Sequence, residues 1–284
     1  MQLKNILVAT DFSHEAYNAL FYTTQLLALE KCTFHIINCY NDQSSSLGSS
    51  KGLFISKKEL SDLHHLSQEK LTETAHRIVL DTNNTLHEFH TISEKGTLLN
   101  VISKTLDNLS IDLIVMGNKG QTGAKELFMG SNTIQIAKTI TQCPILAIPK
   151  EIAYTPFDDI AFVTDFKKGC TRSTLSMLLT ISKIAKAAIN VLHIKESEIM
   201  THKQVSNKKL LKLSLAKTPH NFEEVLNYTN KANVIQDFLT SRDIKFLAMA
   251  YHRRNFLERL VKEPVIMDLS IYAAVPFLIL PLND

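Results

Sequence analysis

A chain of 284 residues that is 45% hydrophobic and 21% charged has the make-up of a globular protein of about two domains. Its net charge of +3 is too small to argue for a nucleic-acid or anionic-membrane partner, and no apolar stretch approaches the ~18 residues of a membrane helix. Cys32, Cys39, Cys143 and Cys170 show no CxxC spacing and MQLKNILVATDF carries no signal-peptide pattern, so the expectation is a cytoplasmic protein with reduced thiols, without disulfides or a zinc site.

In chain order, KNILVA (Lys4–Ala9) predicts a short buried strand ending at Thr10-Asp11-Phe12-Ser13. Ser13 is placed to cap a helix whose core face carries Ala16, Ala19, Leu20 and Leu27. TFHIINC (Thr33–Cys39) predicts a second strand, followed by a serine-rich loop from Asn41 to Gly52. Lys57–Leu80 predicts a long helix with Leu60, Leu63, Leu66, Leu71 and Ile78 as buried candidates. Leu86–Ile92 alternates as a strand does, and Thr97 caps a third helix with Leu98, Val101, Ile102 and Thr105 on one face.

The stretch from Ile111 to Lys150 carries the chemistry. IDLIVM (Ile111–Met116) is the near-continuous apolar run of a strand covered on both faces. Gly117, Gly120 and Gly130 follow in G-x2-G-x9-G spacing, with Ser131 at the expected N-cap of a helix and Asn132 after it. Glycine lets a ligand approach the main chain, and a helix N-terminus offers unpaired amides and a positive dipole end. Together they suit an anion, above all a phosphoryl group, at the carboxyl end of a parallel strand. No G-x-x-x-x-G-K-[ST] occurs, so P-loop chemistry is not implied. Lys119 and Lys125 fall within the loop, where a solvated lysine is the default. A last strand, Pro144–Ile148, completes a β-α-β-α-β-α-β-α-β order, which demands a parallel sheet with helices on both faces. Asp11, ending strand one, and Gly117, ending strand four, then share one crevice.

The second half repeats the first. ILVATDFS returns 154 residues later as IAFVTDFK, IINC as VLHI, LIVMG as FLAMA, and CPILAIP as VPFLILP. The spacing shortens by about 22 residues between the second and fourth strands, so the second copy of the long helix shrinks to about Asn207–Leu215. The expected fold is α/β, two tandem doubly wound parallel five-stranded sheets over residues 1–150 and 151–284. The second copy has Ala250 where the first has Gly117, and no glycine after Gly169, so its site is read as degenerate. Arg253 and Arg254 read there as solvated loop residues, and Asp165 as a cap for the following helix.

With both TDF strands, both central strands, the CP and VP closing strands and the G-x2-G-x9-G-S motif, the chain resembles the universal stress protein family in its tandem two-domain form. The resemblance implies that domain one binds ATP, with Mg2+, or AMP or ADP. Asp11, after Ala9 and Thr10, would contact the nucleoside. The backbone of Cys39, where the family usually has valine, would contact adenine, and Met116 would line the base pocket. Gly117, Gly120, Gly130, Ser131 and Asn132 would hold the phosphates, and Asn118 would be a further nucleotide-binding residue. It also implies dimer contacts through the last strand, satisfied between the two halves, association of two such chains, and a regulatory protein partner. The eleven histidines show no H-E-x-x-H or paired Cys/His pattern, and no second group is fixed beside Asp11 as a catalyst. Two functions remain open: a non-enzymatic, nucleotide-binding stress regulator, and a dimerising module that binds another small ligand or protein through the same crevice. S-G-G-x-D-S and H-x-G-H signatures of nucleotide-transferring enzymes are absent.

Overall fold

The computed structural model describes residues 3–40, 57–118, 131–150, 152–226, 228, 230–251 and 275–282. The first half runs β1 (Asn5–Ala9), α1 (His14–Leu26), β2 (Cys32–Tyr40), α2 (Lys57–Thr82), β3 (His87–Lys95), α3 (Leu98–Asn108), β4 (Leu113–Gly117), α4 (Ser131–Thr139) and β5 (Ile145–Ile148). The second runs β6 (Asp159–Thr164), α5 (Ser176–Ala185), β7 (Ala188–Ile194), α6 (His202–Leu215), β8 (His220–Val225), α7 (Lys231–Ser241), β9 (Leu247–Tyr251) and β10 (Phe277–Pro281).

The strands lie in the order β3-β2-β1-β4-β5-β10-β9-β6-β7-β8. Every neighbouring pair is parallel except β5 and β10, which pair antiparallel, Leu146 opposite Leu278. Each half is thus a parallel five-stranded sheet, and the two closing strands fuse them into one sheet of ten. Such fusion removes two sheet edges that would otherwise present unpaired backbone groups.

The central strands bury both faces, which explains their unbroken apolar runs. On one face Ile6, Val8, Phe34, Ile36 and Val115 pack with Ala19 and Leu20 of α1 and Leu71 and Ile78 of α2; α5 and α6 continue that layer. On the other, Leu7, Ile37, Ile114 and Met116 pack with Val101 and Ile102 of α3 and Ile136 of α4, and α7 continues it.

The caps follow the sequence. Ser13 Oγ accepts from the Ala16 amide at 3.3 Å and Thr97 Oγ1 from the Asn100 amide at 3.4 Å. Three local expectations need correction. Ser131 lies within α4 and not at an N-cap. Leu66 is 46% exposed, because residues 67, 71 and 78 define the inward stripe of α2 and the small polar Ser67 occupies its first position. Asp165 caps no helix, since α5 begins eleven residues later, at Ser176, behind the N-cap Leu175. The second copy of the long helix has 14 residues against 26. Among the described residues no helix is long and apolar enough to cross a membrane.

Candidate functional site

Helix α1 leaves β1 onto one face of the sheet, and α4 leads out of β4 on the other. The strand order therefore reverses between β1 and β4, the switch point at whose carboxyl ends sheets of this kind bind ligands. The register of these two strands pairs Ile6 with Leu113, Leu7 with Ile114 and Val8 with Val115, so its continuation sets Ala9 beside Met116 and Thr10 beside Gly117. The β1–β2 register, Val8 with Ile36 and Ala9 with Ile37, continues to set Asp11 beside Cys39. Ala9, Thr10, Asp11, Cys39, Met116, Gly117 and Asn118 thus meet along one edge. Ser131 and Asn132, both exposed, open α4 on the face that α4 covers. Gly120 and Gly130, with Lys119, Lys125, Arg253 and Arg254, lie outside the described residues.

The first wall is a tight turn. Thr10 Oγ1 accepts from the Phe12 amide at 3.0 Å, and Asp11 Oδ1 accepts from the Ser13 amide at 3.0 Å and from the Ser13 hydroxyl. Phe12 sits at φ 64°, a conformation a bulky side chain rarely adopts and that costs on the order of 1–3 kcal/mol. Its ring packs on the core beside α1 and lies 5.5 Å beneath the ammonium of Lys70. The opposite wall is Gly117 and Asn118. Asn118 continues the β4–β5 ladder, its amide donating to the Ile148 carbonyl at 2.8 Å. Its carboxamide is 1% exposed, and neither Nδ2 nor Oδ1 has a partner among the described residues. A buried group left so costs about 1–3 kcal/mol, which a ligand supplying one donor and one acceptor would recover. Burial, aided by Glu94, pushes the Cys39 thiol up to about 12, so it stays a neutral thiol and its backbone is the polar surface it offers.

The rear of the first wall was not legible as a site. Asn38 Nδ2 donates to the Thr10 carbonyl at 2.8 Å, Ser67 Oγ to Asn38 Oδ1 at 2.8 Å, and Ser93 Oγ to Ser67 Oγ at 2.7 Å. His64 Nδ1 lies 3.4 Å from Ser93 Oγ, its ring tilted against Tyr40. The available signal was a polar residue on the inward stripe of an otherwise amphipathic helix.

The second half repeats the turn and closes the rest. Thr164 Oγ1 accepts from the Phe166 amide at 3.2 Å, Asp165 Oδ1 from the Lys167 amide at 2.9 Å, and Phe166 stands at φ 54°. Helix α6 grips this turn directly: Gln204 Nε2 donates to the Asp165 carbonyl at 3.0 Å and Asn207 Nδ2 to the Phe166 carbonyl at 2.8 Å. Glu196 bridges Lys167 at 2.6 Å and Lys231 at 2.8 Å; burial alone would raise its carboxyl, but the two ammonium groups hold it at about 2. Glu224 bonds Lys208 and meets Lys195 at 3.0 Å, and the Lys208 bond, against some desolvation, holds it also at about 2. His193, at the position of Asn38, is 2% exposed with Nδ1 3.9 Å from Glu224, and burial lowers its pKa despite that carboxylate. Among the described residues, no group of three or more histidine, cysteine or acidic side chains is placed to hold a metal.

Two fused doubly wound sheets with a crevice at the β1–β4 switch point define a tandem α/β protein of the Rossmann-like class. The family model of the universal stress protein family matches residues 2–149. The chain belongs to the universal stress protein family. Its fold is similar over 100% of both chains to a universal stress protein from Archaeoglobus fulgidus DSM 4304, with a TM-score of 0.75 at 14% identity. It is similar over 98% of this chain and 93% of the other to a putative universal stress protein from Pseudomonas aeruginosa UCBPP-PA14, with a TM-score of 0.60 at 15% identity. No curated protein matches the chain.

Proposed function

We propose that residues 1–150 form a nucleotide-binding domain that takes ATP, or AMP or ADP, at the β1–β4 crevice, and that residues 151–284 form its scaffold. The observation that carries this reading is Asn118, a buried carboxamide with neither atom partnered among the described residues, next to Gly117 at the strand end. One donor beside one acceptor is what the edge of adenine presents in reverse. The glycine-spaced sequence that follows supplies backbone approach for phosphates, and Mg2+ would accompany them as the counter-charge. The protein acts without catalysis, as a cytoplasmic stress regulator whose nucleotide state a partner protein reads, and two chains associate to do so.

A second reading is favoured for residues 151–284 by a specific observation. There Glu196 and Glu224 occupy the strand ends as internal anions paired with four lysines, which suits an interaction module without nucleotide. Calorimetry of the intact chain with ATP tests both. The expected result is a single site per chain that disappears in Asp11→Ala and in Gly130→Lys. Two sites overturn the scaffold reading, and no heat at millimolar ATP leaves the non-nucleotide module as the account of the whole chain.

A further inference from the structure

The polarity of the chain of hydrogen bonds behind Thr10 is fixed by chemistry. A carbonyl can only accept, so Asn38 must present Nδ2 to Thr10 and Oδ1 to Ser67. Ser67 spends its one proton on Asn38 and accepts from Ser93, which spends its own in turn. The Ser93 oxygen is left as an acceptor, so His64 donates to it from Nδ1. The chain thus runs one way, from His64 of α2 to Ser93 of β3, back to Ser67 of α2 and on through Asn38 of β2 to the carbonyl that precedes Asp11.

That carbonyl is the polar group of Thr10 that the chain holds. The Thr10 amide is bound to the Ile37 carbonyl at 2.9 Å, and its Oγ1 to the Phe12 amide. A turn that holds Phe12 at φ 64° persists only where its surroundings over-determine it. In the second half the same turn is also gripped from the second helix, but through Gln204 and Asn207 and at the next two carbonyls. The same grip is built twice from different residues, so it belongs to the architecture of the turn and is no accident of one side chain. In the first half it passes through buried links, Asn38 at 8% and Ser67 at 3% exposure, and so ties the turn to α2. With His64 level with Tyr40 at the end of β2, residues 57–63 continue beyond the strand ends by roughly 10 Å at helical rise.

We propose that Asn38 and Ser67 are positioning residues of the crevice, and that through them occupancy of the crevice is transmitted to the projecting first turns of α2. The second clause rests on the nucleotide reading above; the first does not. A ligand that contacts the Thr10–Asp11 turn bears on a carbonyl whose side-chain partner among the described residues leads to α2.

The test uses the full chain with Ser67→Thr and Ser67→Val, which add the same bulk and differ only in the hydroxyl. Without nucleotide, amide exchange by NMR should be roughly fivefold faster at Phe12 and Ser13 in Ser67→Val than in Ser67→Thr, the effect of about one hydrogen bond. With ATP, the amides of residues 58–66 should slow in the wild type and in Ser67→Thr, and stay unchanged in Ser67→Val, whose affinity falls. Should both Ser67 variants misfold, Asn38→Leu removes the link between Ser67 and the Thr10 carbonyl itself and carries the same expectations as Ser67→Val. Equal turn exchange in the Thr and Val variants overturns the positioning role. ATP binding that leaves α2 unchanged in the wild type overturns the transmission and leaves the nucleotide reading standing. Absence of ATP binding in the wild type overturns the nucleotide reading and the transmission together, while the ligand-free exchange still decides the positioning role.

Discussion

The carbonyl oxygen of Glu15 stands 2.7 Å from the point where a β-carbon on Gly117 would lie, and the Glu15 carbonyl carbon stands at 2.9 Å. Helix α1 begins only a few residues after β1, so its first turn rests directly on the end of β4. Glycine is required at 117 by that backbone, whatever ligand the crevice takes. Ala250 is tolerated at the matching place because the chain after Phe166 is non-helical and runs along α6, with Gly169 against Asn207 and Leu210.

Gly117→Ala should therefore displace the first turn of α1 and lower stability by about 1–3 kcal/mol, as overpacking does. Urea denaturation checks the loss. Ala250→Gly should lower stability by no more than about 1 kcal/mol, through chain entropy alone, and should create no second nucleotide site. A Gly117→Ala protein as stable as the wild type would disprove the contact.

The two TDF turns share their hydrogen bonds and should separate by function. Thr10→Val and Thr164→Val each remove the acceptor of a left-handed phenylalanine amide, at a cost of about 1 kcal/mol in thermal unfolding. Only Thr10→Val should weaken ATP binding. Equal weakening in both would mean that residues 151–284 also hold nucleotide.

Fusion of the sheets through β5 and β10 makes Leu278, 0% exposed and opposite Leu146, a core residue of both halves. Leu278→Ala should cost about 2–5 kcal/mol. Calorimetric unfolding should then split into two transitions as the halves uncouple. A single transition at an unchanged midpoint would show that the strand pair contributes little.

Acid should weaken the second half through Glu224 and His193. Glu224 is depressed to about 2 from 4.5, chiefly by the Lys208 bond, so its stabilising effect is full above pH 4.5 and is lost as pH falls towards 2. His193 is lowered by burial, so its contribution is present above about 6.5 and fades as pH falls below that value. Both losses run the same way. Glu224→Gln should cost up to about 1 kcal/mol at neutral pH, given its partial exposure, and should flatten the decline of stability below pH 4.5. Unfolding curves followed from pH 7 to 3 read this out, and an unaltered decline in the variant would place the acid sensitivity elsewhere.

Much of this was legible from the chain. Unbroken apolar runs such as ILVA and LIVM can be satisfied only where both sheet faces are covered, and their alternation with amphipathic helices leaves one handed topology. Apolar periodicity is local, and with the strand order it sets the ends of β1 and β4, and so Asp11 and Gly117, side by side. The repeated TDF likewise marked two equivalent turns, though the left-handed φ of Phe12 could not be read from a residue type that avoids it. A leucine is expected inward and a serine is not, so the exposure of Leu66 and the burial of Ser67 are not legible from residue type.

Apolar spacing along one chain therefore carries the periodic part: strands, helices, their order, the duplication and the switch point. Tertiary structure alone decided what depends on groups distant in sequence. It set the antiparallel joint of β5 with β10, the approach of Glu15 to Gly117, and the hydroxyl–amide chain from Ser93 through Ser67 and Asn38 to Thr10. The reason is physical: apolar burial is non-directional and shows in composition, whereas hydrogen bonds and close backbone contacts exist only at distances that the finished fold creates.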